Sequence, residues 1–206
     1  DDLEFKNLKI IQNKDGFCFG IDSVLLSDFA KNIKKDSMVL DLGTGTGIIP
    51  ILLCGKTKLK KVTGIELQEE VAKMAKKSIK LNNLEDKFNV INENILNLNK
   101  IYENQTFDVI VSNPPYKKKD TGITNENEKK IISRHEISAS LEDFIKISKD
   151  LLKDKGVITT GITIPFIIGA YKIAKHDSIE VNLKFIQEVF ADIVATAKDT
   201  KFFICT

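Results

Sequence analysis

Tryptophan is absent from the 206 residues, histidine occurs twice, cysteine three times and proline four times. Each shortage excludes something. Cys18, Cys54 and Cys205 lie far apart and form no C-x-x-C pair, which argues against a zinc ribbon and against a disulfide framework. Such usage fits a reducing cytosol, so a cytoplasmic protein is expected. His135 and His176 cannot build a histidine-rich metal site between them, and no metal is expected. Long apolar runs are also missing. The longest, near Ile162 to Ala170, is broken by Thr, Pro and Gly and is too short to span a bilayer. Asp1 to Asn13 is charged and strand-like and lacks the apolar core of a signal peptide, although the chain does not begin with Met. Net charge is only +2, so no overall polyanion-binding field is present. Arg134 is the sole arginine; every other basic residue is lysine.

What remains is a soluble-type composition at a length that suits one domain, expected to be a monomer. Leu3 to Phe19 reads as two or three short strands around the turn signal Asn13-Lys14-Asp15-Gly16. Asp22 is placed to cap a helix carrying Val24, Leu25, Phe29 and Ile33 at helical spacing. From Met38 the pattern alternates. Strands are expected at Met38–Leu42, Val62–Ile65, Phe88–Ile91, Phe107–Val111 and Val157–Thr160. Helices are expected from Ile48, over Gln68–Leu81 and over Leu141–Leu152. The Gln68 helix has Val71, Met74, Ala75 and Ile79 on its apolar face. Short apolar strands alternating with helices predict a parallel sheet covered on both faces, with ligands bound beyond the carboxyl ends of its strands. Lys117 to Lys130 is polar and reads as a loop.

The first strand runs into Asp41-Leu42-Gly43-Thr44-Gly45-Thr46-Gly47. Glycines there permit a tight turn and a close approach of backbone to a ligand. The dinucleotide pattern G-x-G-x-x-G fails in both registers, because Ile48 or Pro50 stands where the third glycine is required. No G-K-[ST] follows, so this is not a P-loop. The pattern D-x-G-x-G-x-G resembles the first motif of class I methyltransferases, in which the loop wraps the methionine end of S-adenosylmethionine. Glu66 ends the second strand, where a carboxylate can accept from both hydroxyls of a ribose. Asn94 follows the third strand. In that family an Asp usually stands there and accepts from the cofactor's adenine amino group; an Asn carbonyl does the same more weakly.

The fourth strand ends in Asn113-Pro114-Pro115-Tyr116. Two prolines end a strand and restrict the residue before them. An exocyclic amino group conjugated to a ring or a carbonyl is a weak nucleophile, because its lone pair is delocalised. Two acceptors on its two N–H bonds localise that pair, and the side-chain oxygen of Asn113 with the carbonyl of Pro114 suits the task. Tyr116 offers a face on which a planar group stacks. A base paired in a helix cannot reach such a pocket, so it must be unpaired or flipped out.

These residues resemble the N-P-P-Y amino-methyltransferases. Within them the chain is similar to the bacterial tRNA adenine-N6 methyltransferases that act beside the anticodon of valine tRNA. The likeness runs from about Leu3 to Val157. It includes Gly16-Phe17, Gly20 to Leu26, the glycine loop, Asn113 to Tyr116 and Ser133-Arg134-His135-Glu136. It implies a Rossmann-like class I methyltransferase fold of the α/β class, with a mostly parallel seven-stranded sheet and a short N-terminal β-hairpin extension. One domain would cover 1–206, with the extension in 1–20 and a divergent helix and hairpin in 160–206. By the resemblance, Asp22, Asp41, Gly43, Thr44, Gly45, Gly47, Glu66, Leu67, Asn94, Ile95 and Asn113 hold S-adenosylmethionine. Asn113, Pro114 and Tyr116 act on the target adenine. Pro115, Tyr116, Lys117, Lys118, Lys119 and Arg134 meet the RNA, so the expected partner is tRNA. The tail departs from this branch. Thr160 to Pro165 stands where a His-Arg-Pro stretch is usual, and the last strand is expected at Phe202–Cys205. Three other readings share part of the pattern. A glutamine methyltransferase of peptide release factors carries a separate helical domain before the loop, whereas here only 40 residues precede Asp41. The others are a ribosomal RNA guanine-N2 or adenine-N6 enzyme and a non-catalytic binding module.

Overall fold

In the computed structural model, residues 1–13, 18–113, 141–162 and 201–204 are described. The helices are α1 (Ile21–Phe29), α2 (Ile48–Lys56), α3 (Glu69–Leu81) and α4 (Leu141–Leu151). The strands are β1 (Met38–Leu42), β2 (Lys61–Glu66), β3 (Phe88–Asn92), β4 (Phe107–Ser112), β5 (Leu152–Ile162) and β6 (Lys201–Ile204). Their order in the sheet is β3-β2-β1-β4-β5-β6, with every pairing parallel. Strand order therefore reverses between β1 and β4, which opens a crevice at their carboxyl ends.

Burial on both faces explains the apolar strands. Val39, Val62, Val90, Val109 and Val111 join one core, with α1, α2 and α3 laid over it. Leu40, Leu42, Ile65 and Ile110 join a second, closed by Phe144, Ile147 and Leu151 of α4 and by Ile95 and Leu98 of a 3₁₀ segment, Ile95–Lys100. This is the two-sided burial expected of parallel strands. In α2 every residue from Ile48 to Cys54 is buried. Pro50 is tolerated there because it sits in the first turn, where its missing N–H has no intrahelical partner to lose. In α3 the buried stripe is Ala72, Ala75, Ser78 and Ile79, with Val71 and Met74 half-buried at its flank.

Three expectations need correction. Among the described residues the sheet has six strands rather than seven. Of the helix and hairpin expected in 160–206, residues 163–200 lie outside the described residues, and β6 pairs parallel with β5. Of the expected N-terminal hairpin, the turn at 14–17 lies outside the described residues, and no strand forms in residues 1–13, which carry one isolated antiparallel bridge, Asp2 to Lys9. Asn82 at the end of α3 takes over as partner, accepting from the Lys9 N–H at 2.8 Å and donating to its carbonyl at 2.6 Å. Finally, Asp22 does not cap α1. Gly20 occupies the cap position and Asp22 lies inside the first turn. The buried face is Ser23, Leu26 and Ser27, while Leu25 is 39% exposed. The small serines let α1 sit close to its neighbours.

Candidate active site

The glycine loop leaves β1 and bends back over β2. Gly43, Gly45 and Gly47 have φ of 73°, 58° and 88°, a region that residues with a Cβ adopt only under strain. The N–H groups of Gly43 and Thr44 both donate to the carbonyl of Ile65, at 3.0 and 2.9 Å. The N–H of Gly45 donates to Oε2 of Glu66 at 2.9 Å. Three successive N–H groups are thus turned towards the protein. A phosphate loop aims such groups at its ligand, so these three N–H groups are not presented to an anion. A Cβ built on Gly45 meets nothing within 4 Å, so the open side of the loop lies there. At Gly47 a Cβ falls 2.9 Å from the Phe88 ring, so that glycine is required by packing as well.

Glu66 is 7% exposed. Its Oε1 accepts from the Gln68 N–H at 2.9 Å, complementing Gly45 on Oε2. Burial raises its pKa, and the N–H groups of Gln68, Gly45 and Leu67 oppose the rise. Each carboxylate oxygen has a second acceptor position, so Glu66 can both brace the loop and receive hydroxyl donors. Asp41 lies fully buried in β1 below the loop, and neither of its carboxylate oxygens has a hydrogen-bond partner. Its pKa is pushed up to about 7, mainly by burial, with the charge of Glu66 adding to the rise. Thr44 is itself buried, wedged against Gly64, where a Cβ would lie 2.6 Å from its Oγ1.

Beyond β3, Asn94 caps the 3₁₀ segment, its side chain accepting from the Leu96 N–H at 3.0 Å. Ile95 is buried in the second core and Leu67, at the end of β2, is 41% exposed. Sequence reasoning passed over Asn92. Its Nδ2 donates to the carbonyls of Glu66 and Leu67, at 2.8 and 2.9 Å, tying the ends of β2 and β3 together. Ser112 was missed too; its hydroxyl donates to the Leu42 carbonyl at 2.7 Å and fixes β4 against β1. The only signal for either was its place as the last residue of a strand.

Asn113 follows β4 directly. Its Nδ2 donates to Oδ2 of Asp22 at 2.5 Å and lies 3.2 Å from the Ser23 hydroxyl. The fold thus gathers Asp22, Asp41, the glycine loop, Glu66, Leu67, Asn94 and Asn113 at the carboxyl ends of β1 to β4. Pro114, Pro115, Tyr116, Lys117, Lys118, Lys119 and Arg134 lie outside the described residues. Among the described residues, no group of three or more His, Cys, Asp or Glu is placed to hold a metal, and no helix is long and apolar enough to cross a membrane.

The strand order and the crevice at β1 and β4 define a Rossmann-like class I methyltransferase fold. Solved structures agree with it. A precorrin 8W decarboxylase from Methanobacterium thermoautotrophicum matches with a TM-score of 0.56 at 17% identity, over 81% of this chain and 77% of that one. TYW2 of P. horikoshii, in complex with MeSAdo, matches with a TM-score of 0.55 at 17% identity, over 89% of this chain and 58% of that one. The model of the methyltransferase small domain family matches residues 7–205, and the chain belongs to that family. Among curated proteins, a tRNA1(Val) (adenine(37)-N6)-methyltransferase of Bacteroides thetaiotaomicron is 30% identical, over 79% of this chain and 66% of the relative. One of the same name from Porphyromonas gingivalis is 32% identical, over 76% of this chain and 62% of the relative. The chain therefore spans just under two thirds of the length of these curated relatives.

Proposed function

We propose that the chain is an S-adenosylmethionine-dependent methyltransferase acting on the exocyclic N6 amino group of an adenine in tRNA. The observation that carries this reading is Asn113: a side-chain amide held at the end of β4, beside the glycine loop, with its nitrogen committed to Asp22. The names of the curated relatives support the choice of tRNA and of N6.

The residues fit the cofactor. The open side of the loop at Gly45 leaves room for a bulky, non-phosphate group. Asp41 lies buried below the same loop, and a ligand that brings a positive charge would favour its ionised form. Glu66 suits the ribose hydroxyls, and Asn94 with Leu67 would border the adenine. When bound, S-adenosylmethionine supplies a methyl group on a positively charged sulfur. The chain's own task is to orient the amino nitrogen and hold its lone pair towards that methyl. Asn113 does so by accepting from one N–H, and Pro114 is assigned the second acceptor from the sequence. No strong base is needed, because alignment and charge placement lower the barrier.

The test is methyl transfer from labelled S-adenosylmethionine to unmodified bacterial tRNA, followed by nucleoside analysis, with a peptide release factor assayed in parallel. N6-methyladenosine in tRNA is expected. Label on the release factor alone would retain the chemistry and replace the substrate.

A further inference from the structure

An asparagine amide has two orientations of nearly equal shape. A half-turn about its last bond exchanges oxygen for nitrogen, an acceptor for a donor pair. On the reading above only one orientation works, because a flipped Asn113 would set its own N–H groups against those of the substrate. Something must select the orientation. Nδ2 donates to Asp22 and lies within reach of the Ser23 hydroxyl. An ionised carboxylate accepts and cannot donate, so it pairs with the nitrogen and not with the oxygen. Such a charge-assisted bond is stronger than one between neutral partners.

Asp22 is itself placed with little freedom. It stands in the first turn of α1, two residues after the cap residue Gly20. A Cβ built on Gly20 would lie 2.5 Å from Oδ1 of Asp22, so the carboxylate folds back over the space that this glycine leaves. One oxygen rests against Gly20 and the other meets Asn113. Residue types at 20, 22 and 23 therefore converge on the atom that must not face the substrate.

We infer that Asp22 is the positioning residue of the active site, fixing the Asn113 amide with its nitrogen inward so that its oxygen meets the substrate amino group. This rests on the proposed role of Asn113, and it differs from a role of Asp22 in holding the cofactor. Its action on the substrate passes through Asn113.

The experiment compares Asp22→Ala, Asp22→Asn and Gly20→Ala with the unaltered chain. It measures kcat and KM on tRNA, cofactor Kd, thermal stability and the side-chain amide signals of Asn113 by NMR. Asp22→Ala should lower kcat by roughly 10- to 100-fold while KM and cofactor Kd move by no more than about twofold. Asp22→Asn keeps an acceptor and should recover part of the loss. Gly20→Ala displaces a flexible carboxylate rather than backbone, so it should lower kcat with little change in stability. The Asn113 amide protons should shift in Asp22→Ala and Gly20→Ala. Unchanged kcat, or a loss confined to cofactor Kd, would overturn the inference. If the unaltered chain methylates no tRNA, the function proposed above fails, and the NMR signals then decide separately: resonances unmoved by Asp22→Ala overturn the positioning role, and shifted ones sustain it.

Discussion

Asp41 has no solvent exposure and neither of its oxygens has a hydrogen-bond partner, an arrangement that favours the protonated acid. Its pKa rises from 3.8 to about 7. Between those values the folded chain binds a proton that the unfolded chain has released, so this group's contribution to stability is full below about pH 4 and is lost as pH rises through 7. The loss is at most about 4 kcal/mol. Asp41→Asn carries no charge and removes this dependence. Thermal melts without ligand should show the variant gaining on the unaltered chain from pH 5 to pH 8; a constant difference would contradict the buried-acid account. Asn113 yields a second expectation at this scale. Asn113→Ala removes one placed acceptor, and turnover should fall by on the order of 10²-fold while cofactor affinity is retained. Near-normal turnover in a single-turnover assay would remove Asn113 from the chemistry.

At the scale of elements, the glycine loop separates two reasons for a small residue. Gly47 has positive φ and packs on Phe88, so Gly47→Ala should destabilise the fold by about 2 kcal/mol, a fall in melting temperature of roughly 4–8 °C. Gly45 has positive φ but open space, so Gly45→Ala should cost about half as much stability and instead weaken cofactor binding. Equal effects of the two on both readouts would deny the distinction. This loop was legible in the sequence because three positive-φ positions in the turn from β1 into α2 favour glycine at each. The strands were legible because burial on both faces makes most of their side chains apolar, with polar ones such as Asp41, Glu66 and Ser112 at their carboxyl ends. Other features were not. Asp22 reads as a helix cap, since nothing local says that β4 ends beside α1 and draws the carboxylate away. The first residues read as a hairpin, because alternation cannot say that Asn82 on α3 takes the bonds a partner strand would make. Asn92 and Ser112 join strand ends that only sheet order makes neighbours.

For the whole molecule, on the proposed function, a net charge of +2 leaves tRNA binding to local clusters. The run Lys117 to Lys119 directly follows the N-P-P-Y motif in sequence. Replacing all three with Ala should weaken tRNA binding and reduce the slope of log affinity against log salt by about 2. An unchanged slope would move the RNA footprint elsewhere on the surface. The bond from Asp22 to Asn113 bears on how the molecule comes into being. It joins residues 91 positions apart, one before the sheet begins and one after its fourth strand. The glycine loop and Glu66, by contrast, come from a short contiguous stretch. As a chain emerges from the ribosome, the glycine loop and Glu66 can be in place while the Asn113 side of the site is still to come. On the proposed function, reactivity then waits for that long-range closure, so a chain that has not yet placed Asn113 is inert.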